Sequence, residues 1–144
     1  MGYDSRGARR TESLIGRLRG PWRLAIIEHS MRPAIEPGDW LLIDPTVAAW
    51  PRRGSIVVFR EPDTDVLAVK RVAARPGDRI PFQDGFLHLA EDEAWLLGDD
   101  PADSRDSRRY GPVAVDLLVG RAWFRYSPLG RIGRIAGPLD DAGA

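Results

Sequence analysis

Short apolar bursts separated by turn residues run the length of the chain. They are rich in β-branched and aromatic side chains, a pattern that predicts strands rather than helices. The bursts fall at Trp22 to Ile27, Trp40 to Ile43, Ser55 to Phe59, Val66 to Ala73, Phe86 to Leu89, Ala94 to Leu97 and Leu118 to Tyr126. Breakers mark the joints between them, among them Pro37-Gly38-Asp39, Pro76-Gly77-Asp78, Asp84-Gly85 and Gly111-Pro112. Val113 to Leu117 predicts a helical turn. The expected fold class is mostly β, built of short antiparallel strands. Residues 1–21 read as a basic arm, 22–128 as one domain, and 129–144, with Gly130, Gly133, Gly137 and Pro138, as a loose C-terminal tail.

Composition narrows the chemistry. A chain of 144 residues, 43% hydrophobic, can bury a core without disulfide or metal staples. The absence of cysteine removes thiolate metal sites, iron–sulfur clusters and cysteine nucleophiles. With His29 and His88 far apart, no metal site and no cofactor is expected. Charged residues interrupt every apolar stretch well short of the roughly 18 residues of a membrane span, and the N-terminal arginines break any secretory signal core. Zero net charge argues against a nucleic-acid partner. The arginines crowded into the first 23 residues instead allow a peripheral contact with a membrane surface. The expected location is cytoplasmic or at that surface.

Of the 21 basic side chains, twenty are arginine and one, Lys70, is lysine. Arginine keeps its proton in proteins, whereas a lysine amine in dry surroundings can lose it and act as a general base. Lys70 stands in the apolar run Val66-Leu67-Ala68-Val69-Lys70-Arg71-Val72. A base needs a nucleophile, and here the candidates are hydroxyls. Ser30 follows the first strand and opens the proline-marked loop Ser30-Met31-Arg32-Pro33. His29 is set aside, because adjacent residues in an extended chain point to opposite sides. The polar loop Gly98 to Gly111 supplies Ser104, Asp106 and Arg108, a hydroxyl and a charge-assisted pair able to orient an amine and fix the loop. Taken singly, each has an ordinary reading: a surviving lysine, a turn serine, a solvated connection.

Taken in order, Ser30-Met31-x-Pro33, Gly38-Asp39-x-x-x-Ile43, Gly54-x-Ile56-Val57-Val58-Phe59, Lys70-Arg71-Val72-x-x-x-Pro76-Gly77-Asp78 and Gly98-Asp99-x-x-x-x-Ser104-x-Asp106-Ser107-Arg108 resemble the type I signal peptidase family, serine proteases with a Ser/Lys dyad. The resemblance implies a signal-peptidase/LexA-like β fold. Within it Ser30 is the nucleophile, Lys70 the general base, Ser104 the residue that orients the lysine, and Asp106 with Arg108 the clamp of the last box. Met31 and Pro33 are implied as substrate contacts. The implied activity is serine endopeptidase cleavage that removes an N-terminal leader or signal peptide from a precursor protein.

The short stretch between Lys70 and Gly98 implies a minimal catalytic core without the extra β domain of larger members. With no membrane anchor in sight, the chain is similar to the small maturation proteases of nickel-type superoxide dismutase. Glu28 stands where the family often has a small residue or a hydroxyl that helps the oxyanion. That carboxylate motivates the alternative reading, a catalytically weak peptide-binding module on the same fold. LexA-type repressors share the dyad, but residues 1–21 are too few for their DNA-binding domain.

Overall fold

The computed structural model describes residues 22–135. Ten strands run in order: β1 (Trp22–Ala25), β2 (Trp40–Asp44), β3 (Ile56–Arg60), β4 (Leu67–Ala74), β5 (Arg79–Phe82), β6 (Gly85–His88), β7 (Glu93–Leu97), β8 (Val113–Ala114), β9 (Leu118–Ser127) and β10 (Gly133–Arg134). One short helix, α1 (Ser107–Tyr110), lies between β7 and β8. The main sheet is antiparallel throughout with the order β1-β2-β9-β3-β4-β7-β8, β10 adding to β9, while β5 and β6 form a separate hairpin. The late strand β9 therefore lies between two early wings, β1-β2 on one side and β3-β4 on the other.

The fold is mostly β, as the apolar pattern leads one to expect. The differences have local causes. β5 contains Pro81, which lacks an N–H, and it survives because it pairs only with β6 in a two-stranded ribbon. The expected turn over Val113 to Leu117 splits into the two residues of β8 and a single 3₁₀ turn, Val115–Leu117.

Alternation along β3 explains how the core is divided. Ile56 and Val58 join Trp22, Met31, Ile35, Leu41, Ile43 and Val69 in one cluster, whereas Val57 and Phe59 join Trp50, Ala68, Val72, Leu96 and Val113 in another. Val57, Val58 and Phe59 are fully buried, each contributing roughly 1.5–3 kcal/mol. β4 is buried continuously from Ala68 to Val72, so Lys70 emerges among apolar neighbours.

The basic arm lies outside the described residues, as does the chain beyond residue 135. Residues 129–135, expected as the start of a loose tail, are instead fastened to the sheet. β10 pairs with Phe124 and Arg125 of β9, and the Arg131 guanidinium donates to both carboxylate oxygens of Asp39 at 3.0 and 3.1 Å. Arg125 completes the cluster, donating to Asp39 Oδ2 at 3.2 Å and to the Ala34 carbonyl at 2.8 Å. Burial alone would push the Asp39 carboxyl up. The hydrogen bonds from Arg131 and the Glu36 N–H, with the charges of Arg125 and Arg131, outweigh it and hold the carboxyl below the usual aspartate range.

A carboxyl depressed in the folded state stabilises the fold fully above its unfolded value of about 4, and that contribution is lost as the pH falls through the folded value. The thermal midpoint should therefore decline as the pH is lowered from about 5 toward 2. Asp39→Asn, which cannot titrate, should show a lower midpoint near neutrality and a flatter acid limb. Scanning calorimetry of both proteins across that range checks it; parallel acid limbs would count against Asp39.

Candidate active site

β1 does not end its pairing at Ala25: the Ile26 N–H donates to the Asp39 carbonyl at 2.9 Å, and the Gly38 N–H to the Ile26 carbonyl at 2.8 Å. Beyond Ile26 the chain leaves the sheet and folds into a tight turn. Met31 and Ile35, 3% and 0% exposed, anchor the turn in the first core cluster. The Arg32–Pro33 peptide within it is cis. Ser30 sits at the head of this turn, 3% exposed.

Lys70 reaches it from the middle of β4. Its Nζ donates to Ser30 Oγ at 3.0 Å and to the Val69 carbonyl at 3.2 Å, and its side chain is 2% exposed. The structure thus brings together two residues forty positions apart. Glu28 comes with them: its carboxylate lies 3.6 Å from Lys70 Nζ, on a side chain that is 52% exposed. The carboxylate turns toward the amine.

The last box is built around Asp106, which is 1% exposed. Its Oδ2 accepts from the Gly98 N–H at 2.9 Å, Ser104 Oγ at 2.6 Å and Arg108 at 2.8 Å. Its Oδ1 accepts from the Arg108 backbone N–H at 3.1 Å and from Arg108 Nε at 2.9 Å, which caps α1. Burial would raise this carboxyl, yet Arg108, Ser104 and the two backbone N–H groups hold it below the usual range. Ser104, expected to orient Lys70, gives its hydroxyl hydrogen to Asp106. The reason is local: Asp106 is two residues away and offers a charged acceptor, the stronger partner.

Gly98 is where this box meets Ser30. A Cβ there would lie 2.7 Å from the Ser30 carbonyl oxygen and would strike Ser104, so only glycine allows the approach. Two residues on, the Asp100 N–H donates to that same Ser30 carbonyl at 2.9 Å.

Sequence reasoning gave no role to Arg71 and Asp99. The Arg71 guanidinium donates to both Asp99 oxygens, at 2.8 and 2.6 Å, and to the Gly54 carbonyl at 2.7 Å, tying β4 beside Lys70 to the loop that follows β7. The signal was available, since a charge next to Lys70 in an apolar strand demands a partner.

An apolar groove of about 160 Å³ includes Ser30. Leu24, Ile26, Ile27, Met31, Leu67 and Val69 are among its lining; Pro33 lies outside the groove, exposed on the turn. The outer edge of β4 is open from Leu67 to Lys70, because β7 pairs with it only from Arg71 onward. Past Lys70 the groove gives way to a second cavity lined by Glu28, His29, Glu61, Asp103 and Arg105. A larger hollow of about 600 Å³ near Arg52, Arg121 and Arg134 holds no paired nucleophile and base, so size does not mark the site.

The family described as signal peptidase, peptidase S26, matches residues 21–93 and 87–127. Mitochondrial inner membrane protease subunit 2 of Schizosaccharomyces pombe is 32% identical over 116 residues, covering 74% of this chain and 64% of that protein. Mitochondrial ATP-independent inner membrane protease subunit 1b of Arabidopsis thaliana is 33% identical over 111 residues, 69% of this chain and 66% of that protein. The probable signal peptidase I-1 of Synechocystis is 24% identical over 139 residues, 74% of this chain and 71% of that protein.

Proposed function

The chain belongs to the signal peptidase family, peptidase S26, and on that premise we propose that it is a serine endopeptidase that removes an N-terminal leader from a precursor protein. Ser30 is the nucleophile and Lys70 the general base. The observation that carries the reading is the 3.0 Å contact between Lys70 Nζ and Ser30 Oγ, made between two buried side chains.

The chemistry is acyl transfer. An uncharged Lys70 amine takes the Ser30 hydroxyl proton across that contact while Oγ adds to the scissile carbonyl. The lysine ammonium then returns the proton to the departing amine as the carbon–nitrogen bond breaks, leaving an ester on Ser30. Water, deprotonated by the same amine, hydrolyses it. The Ser30 N–H donates to no acceptor among the described residues and is free to hold the oxyanion, an effect typically worth about 3–4 kcal/mol per donor. Asp106 and Arg108 act by positioning: they hold the Gly98–Asp100 segment, whose Asp100 N–H grips the Ser30 carbonyl.

An extended leader fits between the outer edge of β1 and the open edge of β4, bonded through its main chain. The narrow apolar groove suits small aliphatic side chains before the cut. Among the described residues no helix is long and apolar enough to cross a membrane. The reading keeps the enzyme in the cytoplasm or, through its basic arm, at the membrane surface. Maturation of a nickel superoxide dismutase is the narrower form of the proposal.

The test is incubation of the wild-type protein and Ser30→Ala with precursors bearing N-terminal leaders, a nickel superoxide dismutase precursor among them, read by intact mass. Loss of a defined leader with the wild type alone is the expected result. Binding of the precursors without cleavage would favour the peptide-holding module.

A further inference from the structure

Glu28 is the feature that leader removal by Ser30 and Lys70 does not absorb. A plain catalytic mouth has no use for a carboxylate 3.6 Å from its base, and this one is half in solvent, free to meet an incoming chain. Its surroundings compound the charge. The cavity beyond Lys70 is bordered by three carboxylates, Glu28, Glu61 and Asp103, against one guanidinium, Arg105. Arg105 is itself shared between Glu61, at 3.1 Å, and Asp63. When Lys70 is uncharged, as its proposed role as base requires, Glu28 loses the cation it pairs with among the described residues.

The position of the cavity assigns the missing cation. On the proposed function the apolar groove of Leu24 to Ile27 and Leu67 to Val69, which Ser30 also lines, would take the residues before the cut. The chain continuing past the scissile bond enters the acidic cavity. We propose that Glu28 is a specificity residue which, with Asp103 lining the same cavity, selects substrates carrying an arginine or lysine at the first or second position after the cut. The substrate cation takes the place of Lys70 beside Glu28, so that binding the correct chain and freeing the base are one event. The inference rests on the Ser30–Lys70 reading and extends it to the leaving side of the substrate.

The test uses ten-residue peptides identical except for arginine, alanine or glutamate at those two positions, with alanine before the cut. For the wild type, kcat/KM should fall in the order arginine, alanine, glutamate, with about three- to fivefold at each step, the scale of a partly exposed ion pair. Glu28→Gln should compress the ratio between peptides toward one, and Glu28→Arg should invert it. The ratio cancels any effect of the substitution on the rate common to all three. The same peptides are titrated calorimetrically against Ser30→Ala and Ser30→Ala/Glu28→Gln, where the order of affinities should depend on Glu28 in the same way. Equal peptide ratios in wild type and Glu28→Gln would overturn the inference while leaving the dyad intact. Cleavage that survives Ser30→Ala would overturn the dyad reading, and the binding titrations would still decide the role of Glu28.

Discussion

Ser30→Ala and Lys70→Ala should each lower kcat/KM for leader removal by at least about a thousandfold, and the double variant should be little worse than either. On the proposed mechanism two groups that act as one unit would fail together: without the hydroxyl no ester would form, and without the amine the hydroxyl would keep its proton. Lys70→Arg is the sharper variant. A guanidinium has the charge and a similar reach but does not give up its proton at any ordinary pH, so it should be as inactive as alanine. Lys70→Met guards against a trivial explanation. It fills the buried space beside Val69 with an apolar chain of similar length and should keep a cooperative melt while losing activity. Progress curves by intact mass, with thermal melts of the same samples, give both readouts. Substantial activity in Lys70→Arg would remove Lys70 from the role of base even if Ser30 remained the nucleophile.

Asp106→Ala should cost roughly 3–5 kcal/mol of stability, because it deletes one partner of a buried, charge-assisted network. Against a total stability of about 5–15 kcal/mol this is a large share, and the thermal midpoint should drop by roughly 10–20 °C. The Gly98 N–H is left without its acceptor, and the first turn of α1 loses its cap. Activity should fall beyond what unfolding explains. Gly98 begins the segment whose Asp100 N–H holds the Ser30 carbonyl, so a loosened Asp106 loosens Ser30. Arg108→Ala should be milder, since the Arg108 side chain is 46% exposed and water can replace it. Activity measured well below each variant's midpoint separates the two effects; equal losses in Asp106→Ala and Arg108→Ala would show that the charge pair, not the carboxylate hub, holds the site.

Much of this was legible in the linear chain because it depends on local regularities. Strand positions follow from β-branched bursts between turn residues, and the seven expected strands all appear, with ends shifted by a residue or two. Lys70 drew attention as the only lysine, in an apolar run. Ser30 did so by standing where a strand yields to a proline-marked loop.

The rest was not legible, because it depends on pairings across the chain. Nothing near Asp39 announces that its partners will be Arg125 and Arg131, 86 and 92 residues away. For the same reason residues 129–135 read as loose when the sheet claims them. That the Ser104 hydroxyl donates to Asp106 is likewise a fact of the folded distance. Glu28 was visible as an anomaly, but the direction in which its carboxylate turns is a fact of three dimensions.

The place of β9 in the sheet has a further consequence, for biosynthesis. Ser30 belongs to the wing formed by β1 and β2, and Lys70 to the wing formed by β3 and β4. The two wings share hydrogen bonds in the sheet only through β9, whose residues are 118–127. A nascent chain that has delivered both Ser30 and Lys70 to the ribosome exit still lacks the strand that joins their two wings. On the proposed dyad, Ser30 and Lys70 would meet only after residue 127 has been made, so the site would be assembled late in synthesis.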